Sequence, residues 1–209
     1  QVAPFSLDDL VSSNDLTFLE RSLAIALSPG MLLGARWQTW GDHWTLTGGV
    51  FGNELNDQDR RSLRGNSVIG RMTFAPIRER GRVLHFGVAQ ELRWVADEER
   101  PRLRTRPEAF LAGDRLVSTP RLDDIDTSST TGVEFIGIWD NFRLQGEYMR
   151  TDLAGGPEAG SFDGGYVQFS WVPTGERYRY SRTNGYSTGI RPRGRFGALE
   201  LSTRLSTVD

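Results

Sequence analysis

Eight stretches of this chain alternate apolar and polar side chains, and nearly every charge inside them falls on one parity. Across residues 33–39, Leu33, Ala35 and Trp37 share one face while Gly34, Arg36 and Gln38 share the other, because successive side chains of a strand point to opposite sides. In a water-soluble sandwich the charged face lies outside and the apolar face meets a second sheet. Here the apolar face is too long, too aromatic at its ends and too often repeated for that. Lipid is the expected partner, and the fold class is all-β, an antiparallel transmembrane β-barrel.

Hydropathy agrees with this reading once its period is considered. No window of the 209 residues approaches the roughly 18 uninterrupted apolar residues of a spanning helix. Barrel strands need apolar residues only at alternate positions, so a mean hydropathy of -0.44 is compatible with life in a bilayer. The net charge of -2 offers no footing for nucleic acid, which is not expected as a partner. All 25 basic residues are arginine, whose planar, permanently charged fork suits anions such as phosphate; genome base composition is the simpler explanation, and the two are compatible. The start, Gln1-Val2-Ala3-Pro4, has neither the basic nor the apolar region of a signal peptide, and no closing aromatic follows Ser206. An internal piece of a longer barrel is therefore expected.

The periodicity predicts strands over 31–40, 44–52, 67–75, 83–96, 128–139, 142–151, 164–172 and 196–206. Outward sets include Val68, Met72 and Phe74, then Leu84, Phe86, Val88, Leu92 and Trp94, then Val167, Phe169 and Trp171. The opposite parity makes a lumen wall of Arg36, Arg71, Arg93, Arg143 and Arg204 against Glu91, Glu134, Glu147 and Glu200. A slip of one residue would carry these charges into lipid, at about 2–4 kcal/mol for an arginine at mid-depth. Residues 41–43 and 140–141 make tight turns and 76–82 a short one, whereas 53–66 and 152–163 are long polar loops; the tight side of such a barrel faces the periplasm. Parity then requires 97–127 to be one extracellular excursion, and Pro101, Pro107 and Pro120 within it argue against a central strand.

Two segments concentrate positive charge. Between prolines, Pro101-Arg102-Leu103-Arg104-Thr105-Arg106-Pro107 places Arg102, Arg104 and Arg106 on one face, roughly 6–7 Å apart, a spacing that hands an anion from one guanidinium to the next. The alternative is a solvated loop in which they pair with Asp97, Glu98, Glu99 and Glu108. Residues 174–195 carry six arginines, among them Arg182, Arg191 and Arg193, against the single acid Glu176, a formal charge of +5. By parity this is a periplasmic connection, long enough to fold back into a pore.

Residues 5–22, Phe-Ser-Leu-Asp-Asp-Leu-Val-Ser-Ser-Asn-Asp-Leu-Thr-Phe-Leu-Glu-Arg-Ser, resemble the constriction loop of the phosphate-selective porins O and P of Gram-negative outer membranes. The arginine run 102–108, Leu-Gln-Gly-Glu-Tyr-Met at 144–149 and Val-Pro-Thr-Gly-Glu at 172–176 match the same family in the same order. The resemblance implies a homotrimer of 16-stranded barrels, of which this chain supplies about eight strands, in the outer membrane. Segment 1–30 would be the constriction loop, with Ser12, Ser13 and Arg21 at the narrowing. Segment 97–127 would be an infolded loop bearing the Arg102, Arg104 and Arg106 ladder, and 174–195 a basic periplasmic infold with Arg182, Arg191 and Arg193 on the anion path. Passive diffusion of phosphate or pyrophosphate is the implied function, with outer-membrane lipid as the surrounding partner and no cofactor. One departure stands out: the family's phosphate site depends on lysines, and this chain has none, leaving Arg193 as a stand-in that is not equivalent.

Other readings stay open on sequence alone. A general or sugar-type diffusion porin, with arginines merely balancing glutamates, is one; a soluble carbohydrate-binding β-sandwich using Trp37, Trp40, Trp44 and Trp171 is another. Enzymatic chemistry is not expected. His43 and His85 have no nucleophile elbow or serine partner, and no cluster has metal-ligand spacing.

Overall fold

A computed structural model describes residues 4–54, 63–96, 102–108, 115–157 and 159–209. In chain order the strands are β1 (Leu32–Trp40), β2 (Trp44–Glu54), β3 (Gly65–Glu79), β4 (Arg82–Val95), β5 (Arg104–Thr105), β6 (Val117–Ser118), β7 (Ile125–Trp139), β8 (Phe142–Gly155), β9 (Ser161–Trp171), β10 (Arg179–Ser181), β11 (Tyr186–Thr188) and β12 (Leu201–Val208). Eight of them form one sheet in the order β1-β2-β3-β4-β7-β8-β9-β12, each neighbour antiparallel. The pairs β5–β6 and β10–β11 are separate hairpins. The only α-helix among the described residues is Leu7–Leu10, so no described helix is long and apolar enough to cross a membrane.

The two faces of the sheet separate as the alternation predicts. Leu33, Val50, Val68, Met72, Val88, Leu92, Val133 and Val167 stand exposed on one face. A water-soluble sheet would bury such a surface; a barrel gives it to lipid. Aromatic residues gather where this face meets the tight turns: Trp40 and Trp44 flank 41–43, Trp139 and Phe142 flank 140–141, and the Phe142 ring stacks on Trp171 at 6.1 Å and 8°. Such a belt suits an interface that is apolar on one side and wet on the other.

Ends of strands differ from the sequence expectation, each for a local reason. β3 runs on through Pro76 to Glu79 because its register shifts between Phe74 and Ile77, a bulge that absorbs the residue lacking a donor, so the turn shrinks to Arg80-Gly81. β8 and β9 extend to Gly155 and from Ser161, which leaves 156–160 where a loop of twelve was expected. The last strand begins at Leu201 rather than 196, since Gly194 and Gly197 form a bridge of their own ahead of it. The rest of the loop expected over 53–66 lies largely outside the described residues.

Tight turns β1–β2, β3–β4 and β7–β8 fall at one end of the sheet, together with the 172–200 connection, and the longer connections fall at the other. Two apolar clusters occupy the charged face, one per end. Phe5, Leu27, Phe51, Leu63, Val95, Leu103, Leu122, Ile125 and Leu153 belong to the long-loop end. Leu7, Val83, Ile136, Ile138, Val172 and Tyr178 belong to the tight-turn end.

Candidate functional site

On the charged face four wall arginines, Arg71, Arg93, Arg143 and Arg204, are each held by an acid. Arg71 lies against Glu134, with Nε at 3.0 Å from Oε2 and Nη2 at 2.6 Å from Oε1, and both side chains are buried. Arg93 donates twice to Glu91 Oε1, at 3.0 and 2.7 Å, and on to the Leu63 carbonyl at 3.2 Å. Arg143 sits 3.7 Å from Glu200 and 4.4 Å above the Tyr178 ring, and it donates to Thr17 and Ser187. Arg204 grips Glu108 and donates to the Glu20 carbonyl at 2.8 Å with its guanidinium over Phe18. Arg36 is exposed on the same face, two residues from Gln38, which donates to the Thr183 carbonyl. So the wall carries balanced charge, and its arginines mostly position other segments.

Three segments pack on this face. The first, 4–30, docks through Glu147, whose carboxylate accepts from Leu7 N–H (2.7 Å), Ser6 Oγ (3.1 Å) and Asp8 N–H (3.3 Å). A buried acid without a cation here finds its donors on the short helix opening. Asp8 and Asp9, both buried, tie the segment to itself: Asp8 accepts from Ser22 N–H at 2.9 Å, and Asp9 accepts from Ser28 Oγ and lies 3.7 Å from Arg21. Ser12 and Ser13 are exposed, Ser12 Oγ accepting from Asn14 N–H at 3.4 Å.

The second is the β5–β6 hairpin. Leu103 and Thr105 are buried beneath it, so Arg102, Arg104 and Arg106 lie on its other face, half-buried. Arg102 donates to the Thr119 carbonyl at 2.8 Å and to Ser118 Oγ at 3.0 Å. Glu108 meets Arg204 and accepts from Leu23 N–H at 3.1 Å. Asp97, Glu98 and Glu99 lie outside the described residues.

Residues 174–195 are the third segment, and a buried relay fixes its β10–β11 hairpin to the wall. Arg71 donates to the Asn184 and Gly185 carbonyls at 2.9 and 2.6 Å, and Gly185 sits where a Cβ would fall 2.7 Å from Thr73 Oγ1. His85 Nε2 is 2.8 Å from Glu134 and Nδ1 is 2.7 Å from Tyr180 Oη. Burial pushes Tyr180 up to about 12, and its hydroxyl and Glu134 hold the two ring nitrogens of His85 from opposite sides. The segment's arginines lie apart from those of the β5–β6 hairpin. Arg182 reaches Asp42 at 3.1 Å in the β1–β2 turn, and Arg191 and Arg193 are exposed at the same tight-turn end. They lie at the tight-turn end and Arg102, Arg104 and Arg106 at the long-loop end, as the extracellular and periplasmic placing of the two segments by parity expects.

Periodicity alone did not reveal Glu147, Glu108 or the Tyr180–His85 contact as fixing points. Each joins residues far apart in sequence, and only an acid on the inward parity hinted at them.

The sequence model described as "Phosphate-selective porin O and P" matches residues 1–209. This chain belongs to the phosphate-selective porin O and P family. A relative, Porin O of Pseudomonas aeruginosa, is 27% identical over 230 residues, covering 98% of this chain and 52% of that protein. The chain spans about half the length of the curated relative it matches. A porin is a β-barrel of the outer membrane, and the exposed apolar face and aromatic belt described above are its lipid-facing surface. Porins are channels rather than enzymes. Among the described residues no group of histidine, aspartate and glutamate has the arrangement of a metal site.

Proposed function

We propose that this porin gives passive, anion-preferring diffusion, with phosphate or pyrophosphate as the anion, past the arginines of the β5–β6 hairpin. The observation that carries the reading is that hairpin: burial of Leu103 and Thr105 turns Arg102, Arg104 and Arg106 away from the wall as a row. Because Arg71, Arg93, Arg143 and Arg204 of the wall are paired with acids, preference for anions is assigned chiefly to the segments lying over the wall. In this reading 4–30 narrows the pore near Ser12, Ser13 and Arg21, the hairpin guides anions from the extracellular side, and Arg182, Arg191 and Arg193 receive them at the periplasmic mouth. Further strands join β1 and β12 to close a 16-stranded barrel, since open sheet edges are not tolerated in lipid, and three barrels assemble as a homotrimer.

The paired wall also supports a second reading, a general or sugar-type pore whose arginines only balance glutamates. The reversal potential of the full-length protein in a planar bilayer under a potassium chloride gradient separates the two. Anion selectivity with current block by added phosphate is expected; a potential near zero that phosphate leaves unchanged would favour the general pore.

A further inference from the structure

A cavity of about 680 Å³ opens at the tight-turn end, between the β3–β4 turn and the 174–195 segment. Arg78, Arg80, Arg177, Arg179, Arg191 and Arg193 line it with a single acid, Glu79. Asp140, 2.8 Å from Arg177, and Asp42, 3.9 Å from Arg78, offset two of these cations. Glu176, which accepts from Arg193 N–H at 3.3 Å, offsets a third; the lining still keeps a net positive charge, and guanidinium forks match phosphoryl oxygens in pairs.

Its floor has a different character. Val83, Ile138 and Tyr178 are buried side chains that reach the cavity, and Tyr180 and Pro192 join them. Both tyrosine hydroxyls are already engaged, Tyr178 with Glu200 at 2.8 Å and Tyr180 with His85 at 2.7 Å. What the tyrosines offer a ligand is therefore ring surface. An orthophosphate ion in this space would leave that floor wet, and the volume falls within the roughly 300–1,000 Å³ of small-molecule pockets.

We propose that this cavity is a binding site for organic phosphates, anions that carry a phosphoryl group on an apolar or ring-bearing body. The phosphoryl group meets the arginines and the body covers the Val83, Ile138 and tyrosine floor. The site lies at the opposite end of the sheet from the β5–β6 hairpin. The proposal rests on the channel reading only in placing the cavity at a mouth of the pore.

Calorimetric titration of the detergent-solubilised full-length protein with phenyl phosphate and with orthophosphate tests it. Phenyl phosphate is expected to bind at least about tenfold more tightly, a difference of about 1.4 kcal/mol. Arg80→Ala with Arg179→Ala, two exposed positions, should weaken phenyl phosphate about tenfold or more. Pro192→Asp, which sets a carboxylate on the rim of the floor, should do the same independently. Equal affinities for the two anions, or tight binding that survives both variants, would overturn the assignment. Titration reads the site without conduction: a pore lacking anion selectivity that still binds phenyl phosphate would refute the proposed function and leave this site standing, and the converse holds.

Discussion

At the long-loop end, the basic hairpin is held down by apolar contact, through Leu103 packed among Leu63, Val95, Leu122, Ile125 and Leu153. At the tight-turn end, the 174–195 segment is held by buried charge, through Arg71, Glu134, His85 and Tyr180. The two anchors have different physical consequences. Apolar packing tolerates small adjustments and fails in proportion to the volume removed. A buried ionic relay holds only while every member is present, because losing one strands the others without a partner.

The largest expected effect follows directly. Glu134→Ala leaves Arg71 and His85 facing an uncompensated buried site, at about 3–5 kcal/mol. We expect residues 174–195 to become protease-sensitive while the β5–β6 hairpin stays protected, which limited proteolysis of the folded protein reads. Equal sensitivity of both segments would mean that the anchors are not separate.

Leu103→Ala tests the other anchor and should cost about 2–4 kcal/mol, the transfer loss plus the cavity left behind. Hydrogen exchange should rise at Thr119, whose N–H donates to the Leu103 carbonyl at 3.0 Å, and not at Gly185, whose N–H donates to Ser181 at 2.8 Å. A matching rise at Gly185 would make the packing global.

Replacing Arg102, Arg104 and Arg106 together by Ala removes the Arg102 hydrogen bonds to Thr119 and Ser118 and should cost on the order of 1 kcal/mol, less than Leu103→Ala, because Leu103 and Thr105 still hold the hairpin down. The main expected loss is functional: the chloride-to-potassium permeability ratio falls on the order of threefold to tenfold as the local potential drops. An unchanged ratio would move selectivity to the tight-turn end.

The sheet was legible because its signal is periodic. Charges at Arg71, Glu91, Arg93, Glu134, Arg143 and Glu147 mark one parity, exposed Val68, Met72, Val88 and Leu92 mark the other, and the register then follows from tight turns. Ends were less legible: the bulge beside Pro76 and the Gly194–Gly197 bridge depend on local geometry that alternation does not encode. Charge in the lumen was read by counting, five arginines against four glutamates, and counting does not tell which partners meet. Arg204 meets Glu108, from a loop almost a hundred residues away, and Glu147 meets backbone N–H groups rather than a cation.

The smallest effect is a pH asymmetry between the ends. Glu176 accepts from Thr174 Oγ1 and from Arg193 N–H at 3.3 Å, and these hydrogen bonds, Thr174 first, hold its carboxyl below its ordinary value. A carboxyl lowered on folding contributes stability that is present above its unfolded value of about 4.3 and is lost as pH falls through the lower folded one. Protection of the Arg193 amide, corrected for the intrinsic exchange rate, should therefore stay level from neutral pH down to about 5 and fall at lower pH. The Thr119 amide of the β5–β6 hairpin rests on apolar packing and should show no such fall. Parallel loss at both amides would indicate general acid unfolding of the protein and remove Glu176 as the cause.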